Sequence, residues 1–426
     1  MVLKFIKKQR LLLFLLITVV YFQTINKSVA QETDTSNFTQ FKGVVQDSNS
    51  KKTLEFANLT VNGTNISTIT NTEGKFVFKV PKKELNKQVT ITYLGYFDKV
   101  IPLSDFLKGE KNVIKLRESV EQLPDVKLGA ANPILIIKKT LENRKKNSFE
   151  KPVIMQAFYR ETIKKRRTYV SLSEAVVTIY KQPFESKQKD YAKLNRARKS
   201  TDYRKIDTLL LKLQGGPYNN LGMDFIKNED IFFTKDIFEV YDFTFDKTIS
   251  MNNKTVYVLN FKQKASIVEP YYQGKLYIDT QNYVLIKAAF HLNIENLEKA
   301  SKYFVKKKPK KASVIPIKTS YVIDYRNSKG KWYFGYSRIA LSFKVDWNKK
   351  LFNSIYHLTI EMATTDWKWD DGIIPVRQKE KLKQNVILSE KATGFSDPEF
   401  WGKYNVIEPE KSIENAIKKI RRQLKK

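Results

Sequence analysis

From Arg338 to Asn348 the chain alternates without a break. Ile339, Leu341, Phe343, Val345 and Trp347 are apolar, while Arg338, Ala340, Ser342, Lys344 and Asp346 are polar or small. A period of two cannot line one side of an α-helix, which repeats every 3.6 residues, but it sends one set of side chains to each face of a β-strand. The apolar set must then meet a second layer, and the backbone N–H and C=O groups must find neighbouring strands. Runs of the same kind are readable at 153–162, 168–181, 238–248, 255–264, 272–279, 283–292, 319–326 and 354–364. Several are separated by turn-forming tetrads such as Asp279-Thr280-Gln281-Asn282 and Asn327-Ser328-Lys329-Gly330. This pattern predicts a large, curved antiparallel sheet within residues 132–426.

Three segments carry a helical period instead. Asn132-Pro133 opens one, with asparagine as cap and proline at the first position, Ile134, Ile137 and Leu141 on one face, and Arg144-Lys145-Lys146 in the last turn. A second, Asp202 to Leu213, presents Ile206, Leu209, Leu210 and Leu213 and is stopped by Gly215-Gly216-Pro217. A C-terminal amphipathic helix from about Ser412 sets Ile413, Ala416, Ile417, Ile420 and Leu424 against a basic face. Such a helix can pack across the open face of the sheet or lie on a membrane.

The N-terminal part has a shorter rhythm. After a polar linker at 31–39, six β-rich runs follow one another between Phe41 and Leu103 at roughly ten-residue spacing, the pattern of a small β-sandwich. The first run reads Gly43-x-Val45-x-Asp47, a later turn reads Thr70-Asn71-x-x-Gly74-x-Phe76, and a strand ends in Tyr93-x-Gly95-Tyr96. In these motifs the segment resembles the carboxypeptidase regulatory-like domain. The resemblance implies an Ig-like or prealbumin-like sandwich and the setting of a Bacteroidetes cell envelope; the sandwich is expected to span 40–117, to be followed by a linker at 118–131, and to serve as a docking module. The resemblance implies no reaction. Further on, Tyr272 to Asp279 followed by Tyr283 to Ile286 is similar to a hairpin of periplasmic lipoprotein-carrier folds, which implies a half-barrel sheltering an apolar cavity. Phe158-Tyr159-Arg160-Glu161, Glu174-Ala175 and Asp397 to Trp401 resemble the uncharacterised C-terminal regions that accompany the first module.

Residues 1–30 read as a secretory signal. Lys4, Lys7, Lys8 and Arg10 precede the apolar Leu11 to Val20, and Ser28-Val29-Ala30 forms a small-residue cleavage site. The expected destination is the periplasm or the periphery of the outer membrane. The absence of cysteine excludes disulfides, thiolate–zinc sites, cysteine nucleophiles and a lipidated cysteine. The net charge of +33 comes mostly from 63 lysines spread along the chain. In an exported protein this suits anionic lipid or lipopolysaccharide headgroups rather than nucleic acid.

Catalytic signatures are missing. Only His291 and His357 are present, neither in a zinc-peptidase context, and there is no G-x-S-x-G, P-loop or dinucleotide loop. No metal, cofactor or catalytic residue is therefore assigned. Four weaker signals remain. The aromatics Trp367, Trp369, Phe400 and Trp401 can stack on sugars or fill an apolar cleft. Lys306, Lys307, Lys308, Lys310 and Lys311 can meet an anionic surface. Glu161 and Glu174 sit on neighbouring candidate strands, as a glycoside hydrolase pair would. Asp366, Asp370 and Asp371 form an acid-rich turn before Gly372. The expectation is an exported, non-enzymatic, mainly β envelope protein that binds an apolar or amphipathic ligand or a partner protein. An outer-membrane β-barrel and a glycan-active hydrolase are the alternatives, and the oligomeric state is open.

Overall fold

The computed structural model describes residues 37–108, 111–119, 132–201, 215–228, 232, 236–251, 254–304, 312–347, 353–370, 372, 376–392 and 400–415. The expected signal, the helix at 202–213, the lysine run 306–311, Asp371 and the C-terminal helix beyond 415 lie outside the described residues.

Seven short strands build the N-terminal sandwich: β1 (Phe38–Asp47), β2 (Asn58–Val61), β3 (Ser67–Ile69), β4 (Lys75–Pro81), β5 (Gln88–Thr92), β6 (Lys99–Pro102) and β7 (Lys111–Leu116). They form one sheet ordered β4-β1-β7 and a second ordered β3-β2-β5-β6. Phe41, Val45, Leu59, Phe76, Phe78 and Ile91 fill the space between them. The sequence motifs have physical roles here. A Cβ on Gly43 would stand 2.4 Å from the Asn112 carbonyl oxygen and 2.6 Å from the Phe76 ring, so only glycine fits. Asp47 closes the turn after β1 by accepting from the backbone N–H of Asn49 and of Ser50. Asn71 accepts from the N–H of Glu73 and Lys75, and Gly74 takes φ +67° to complete that turn.

The larger part is one open sheet of ten strands: β8 (Val153–Lys165), β9 (Thr168–Lys181), β10 (Tyr191–Thr201), β11 (Tyr241–Met251), β12 (Lys254–Gln263), β13 (Tyr272–Asp279), β14 (Leu285–Leu292), β15 (Ala312–Ser328), β16 (Lys331–Trp347) and β17 (Ser354–Trp369). Their order is β10-β9-β8-β17-β16-β15-β14-β13-β12-β11, antiparallel at every pairing. Because β10 and β11 stand at opposite edges and do not pair, the sheet is not closed, which overturns the outer-membrane barrel alternative. Among the described residues, no helix is long and apolar enough to cross a membrane.

Among the described residues the strands are flanked by the helices α1 (Pro133–Asn147), α2 (Pro217–Gly222), α3 (Ile237–Val240), α4 (Leu297–Phe304) and α5 (Leu388–Lys391). Asn132 caps α1 as expected, its side chain accepting from the N–H of Ile134 and Leu135. Of the expected face Ile137 is buried and Leu141 packs against the core, but Ile134 is exposed, and Ile136 and Thr140 are buried as well.

The two faces of the large sheet are covered differently. On one, Ile137 of α1 joins Leu221, Met223, Phe225, Phe232 and Ile237 from the β10–β11 crossover. These pack over Tyr159, Ala175, Leu259, Phe261 and Ile360. On the other, Phe158, Val176, Tyr336 and Ala363 meet Ile69 and Val77 of the sandwich and Trp401, Val406 and Ile407 of the C-terminal segment. The sandwich is thus part of the second face's cover.

Candidate functional site

A lock of charged groups lies on the sheet face that the sandwich and the C-terminal segment cover. Arg160 and Arg198 donate to the two carboxylate oxygens of Glu174 at 2.8 and 2.7 Å, and Glu174 is fully buried. Burial alone would push the Glu174 carboxyl up, but the two guanidiniums hold it below the ordinary carboxylate range. Arg160 also donates to the Ile407 carbonyl at 2.7 Å, which ties the sheet to the C-terminal segment. Glu361 accepts from the Tyr336 hydroxyl at 3.1 Å and stands 3.6 Å from Arg338. The Arg338 guanidinium in turn lies over the ring of Phe56, itself stacked on Tyr336.

Side-chain amides complete the attachment. Asn405 accepts from the N–H of Lys79 at 2.7 Å and donates to its carbonyl at 3.0 Å, so one amide takes the place of a strand partner along β4. Asn71, the turn residue of the sandwich motif, donates to the Glu408 carbonyl. Asn65 donates to the Trp367 carbonyl and accepts from Ser328. The sandwich is therefore held at both ends of its contact.

Beside this contact the sandwich and the sheet leave a cleft of about 660 Å³. Its sandwich wall is the outward face of β2 and β5, where Asn58 lies opposite Thr92 and Thr60 opposite Thr90. Asn62 extends the row and accepts from the Thr90 hydroxyl at 2.6 Å. The facing wall carries Lys287 of β14, Asp324 and Arg326 of β15, Trp332 of β16, and Trp367 and Trp369 of β17. Lys287 and Asp324 are register partners on adjacent strands. Burial raises the Asp324 carboxyl above its ordinary range, and Lys287 and Arg326 partly offset that rise.

The aromatics singled out from the sequence do not form one cluster. Trp367, Trp369, Phe149 and Tyr333 pack together at the cleft, with Trp369 44% exposed. Trp401 and Phe400 pack against Phe158 on the covered face, with the Arg198 guanidinium 4.7 Å from the Trp401 ring. Lys306, Lys307, Lys308, Lys310 and Lys311 are outside the described residues.

The carboxylate pair is corrected. Arg160, not Glu161, is the register partner of Glu174, so Glu161 and Glu174 point to opposite faces of the sheet and cannot flank one bond. Glu161 lies on the crossover side, accepts from the Tyr159 hydroxyl at 2.9 Å, and is pushed up to about 7 by burial. His291 and His357 are apart, bonded to Gln273 and Ser342 respectively. Among the described residues no three His, Asp or Glu side chains gather as metal ligands.

A second buried charge cluster ties the crossover to β9. Lys181 bridges Asp190 and Asp224 at 2.8 and 2.7 Å, Lys227 also reaches Asp190, and the Tyr325 hydroxyl donates to Asp224. It lines a space of only about 50 Å³ next to Phe149 and Tyr333. Its charges balance within the cluster, and it fastens the crossover to the sheet.

Sequence reading missed the cleft walls. In a chain with 63 lysines, however, an outward strand face that carries Asn58, Thr60, Asn62, Gln88, Thr90 and Thr92 is unusual, and that lysine-free alternation is the signal that marks it.

A family model described as a CarboxypepD_reg-like domain matches residues 41–127. No curated protein matches the chain. Among solved structures, a DUF1329 family protein from Desulfovibrio piger is similar at 10% identity, covering 57% of this chain and 96% of that one, with a TM-score of 0.26. MucB in complex with MucA(peri) is similar at 8% identity over 56% of this chain and 99% of that one, with a TM-score of 0.17. Likenesses this remote carry no functional argument. The matched family and the strands agree on one point: residues 41–127 of this chain are a CarboxypepD_reg-like domain, and a β-rich region follows it.

Proposed function

We propose that this chain is an exported, non-enzymatic envelope protein that binds a ligand in the cleft between its sandwich and its large sheet. The observation that carries the reading is the cleft itself, an open space of about 660 Å³ with one wall from each part and with the two parts locked rather than tethered. That volume falls in the range of about 300 to 1,000 Å³ common for ligand sites. The sandwich acts as a wall in this reading, since Ile69, Val77 and Phe56 are spent on the sheet. An apolar cargo fits less well. Leu221, Met223, Phe225, Phe232 and Ile237 already cover much of the apolar face. The separation of Glu161 from Glu174 and the capture of Glu174 by two arginines support the non-enzymatic part. Export rests on the character of residues 1–30.

Native mass spectrometry of gently purified protein tests this. The wild type is expected to carry an adduct that a cleft-filling Thr90→Trp variant lacks. An adduct retained by that variant, or a wild type free of ligand, overturns the assignment of the cleft.

A further inference from the structure

We infer that the cleft takes an acidic saccharide, a class of ligand that rests on the cleft being the binding site. Three independent features of its walls point to this chemistry.

The first is the sandwich wall. Asn58, Thr60, Asn62, Thr90 and Thr92 each offer a neutral group that both donates and accepts hydrogen bonds, and they stand in two adjacent rows on neighbouring strands. Asn58 donates to Thr60 and Thr90 to Asn62, yet the buried Asn58 Oδ1 has no partner. A ligand rich in hydroxyls can use that acceptor and the capacity the internal bonds leave, whereas an acyl chain cannot.

The second is aromatic. Trp332 and Trp369 line the facing wall and Tyr93 lies on the sandwich side, and Trp369 stays 44% exposed although it touches Phe149 and Trp367. Flat π-faces next to a hydroxyl-binding ladder suit a sugar ring, which has an apolar C–H face and a polar rim.

The third is charge. Lys287, Arg326, Lys329, Lys331 and Lys368 line the cleft, against Asp324 as the acid in the same lining. Arg326 is committed to Ser67 and the Thr364 carbonyl, and Lys331 to Glu150. The remaining lysines still leave an excess of positive charge that selects an anionic ligand.

An acidic peptide would also meet the charge. One common mode for an extended peptide, however, is main-chain pairing along an open strand edge. Here β2 is paired to β3 and β5, β5 to β2 and β6, and β15 to β14 and β16, so the cleft is walled by sheet faces and not by an edge. Recognition must come from side chains, which is how a saccharide is read.

The test uses isothermal titration of the full chain with three probes of equal length: tetragalacturonate, maltotetraose and tetraglutamate. Tetragalacturonate is expected to bind about tenfold tighter than maltotetraose and to weaken as salt rises. Trp369→Ala is expected to lower its affinity about tenfold, and Thr90→Trp to abolish it. Equal binding of tetraglutamate with no effect of Trp369→Ala overturns the saccharide class, while loss of that binding in Thr90→Trp keeps the cleft as the site. Tetragalacturonate binding that survives Thr90→Trp overturns the cleft itself. Absence of binding by tetragalacturonate overturns the saccharide inference and leaves the co-purified adduct to judge the cleft.

Discussion

Replacing Glu161 by glutamine should make the protein more stable at neutral and alkaline pH, although the side chain lies in the middle of the sheet. Glu161 is 5% exposed and sits on the crossover face between Tyr159 and Ile163, with the Tyr159 hydroxyl donating to it. Burial raises its carboxyl from the ordinary 4.5 to about 7. A folded-state value above the unfolded one means that the neutral acid is favoured. Its contribution to stability is whole below about pH 4.5 and is lost as pH rises through about 7. At about 1.4 kcal/mol per pH unit, that window removes about 3 kcal/mol from the wild type. Glutamine keeps the shape and an acceptor for Tyr159 but cannot ionise. Urea unfolding followed by tryptophan fluorescence from pH 4.5 to 8.5 should show equal stability at the acid end. At pH 8.5 the glutamine variant should lead by up to about 3 kcal/mol. Parallel pH profiles for the two proteins, or a less stable variant at pH 8.5, would refute the argument that burial governs this carboxyl.

Two further outcomes follow from the covered face. Glu174→Ala leaves Arg160 and Arg198 buried beside each other without their shared carboxylate, and urea unfolding should register a loss of about 3 to 5 kcal/mol. Trp401→Ala should cost about 3 to 5 kcal/mol in the same measurement because it empties the contact with Phe158, whereas the half-exposed Trp369→Ala should change stability by about 0.5 kcal/mol or less.

Much of the β architecture is legible in the alternation of apolar residues: Ile339 to Trp347 lies within β16, and its counterparts overlap strands, although the run read at 238–248 begins on α3 and that at 283–292 two residues before β14. β10 is the informative failure. Tyr191-Ala-Lys-Leu-Asn-Arg-Ala-Arg-Lys offers little apolar alternation because Arg198 takes an inward position, where Glu174 on the next strand meets its charge. The cap of α1 is local and readable at Asn132. Its buried face is set by what the helix packs on, which is why Ile136 replaces Ile134. Aromatics close in sequence, Trp367 and Trp401, end on opposite faces because β17 ends and the chain turns back between them. The cleft needs residues 58–62, 90–92, 287, 324–332 and 369 at once, and no local pattern announces such a meeting.

The position of β17 beside β8 has a consequence for how this chain acquires its shape. β8 is the first strand of the sheet and lies inside it, yet the neighbour on its open side is the last strand, about two hundred residues later. The sandwich is in the same situation, for Asn71 and Thr72 reach Glu408 and Glu410 across 337 and 338 residues. A chain emerging from its N-terminus therefore carries an unsatisfied strand edge until residues 354–369 have arrived, and an unsatisfied sandwich face until residues 408–410 have. Closing loops that long before their contacts form is slow, and an open edge invites pairing with other chains. This topology favours late consolidation over stepwise maturation, with β17 supplying the missing neighbour of β8 and the segment around residues 401–410 covering the sandwich.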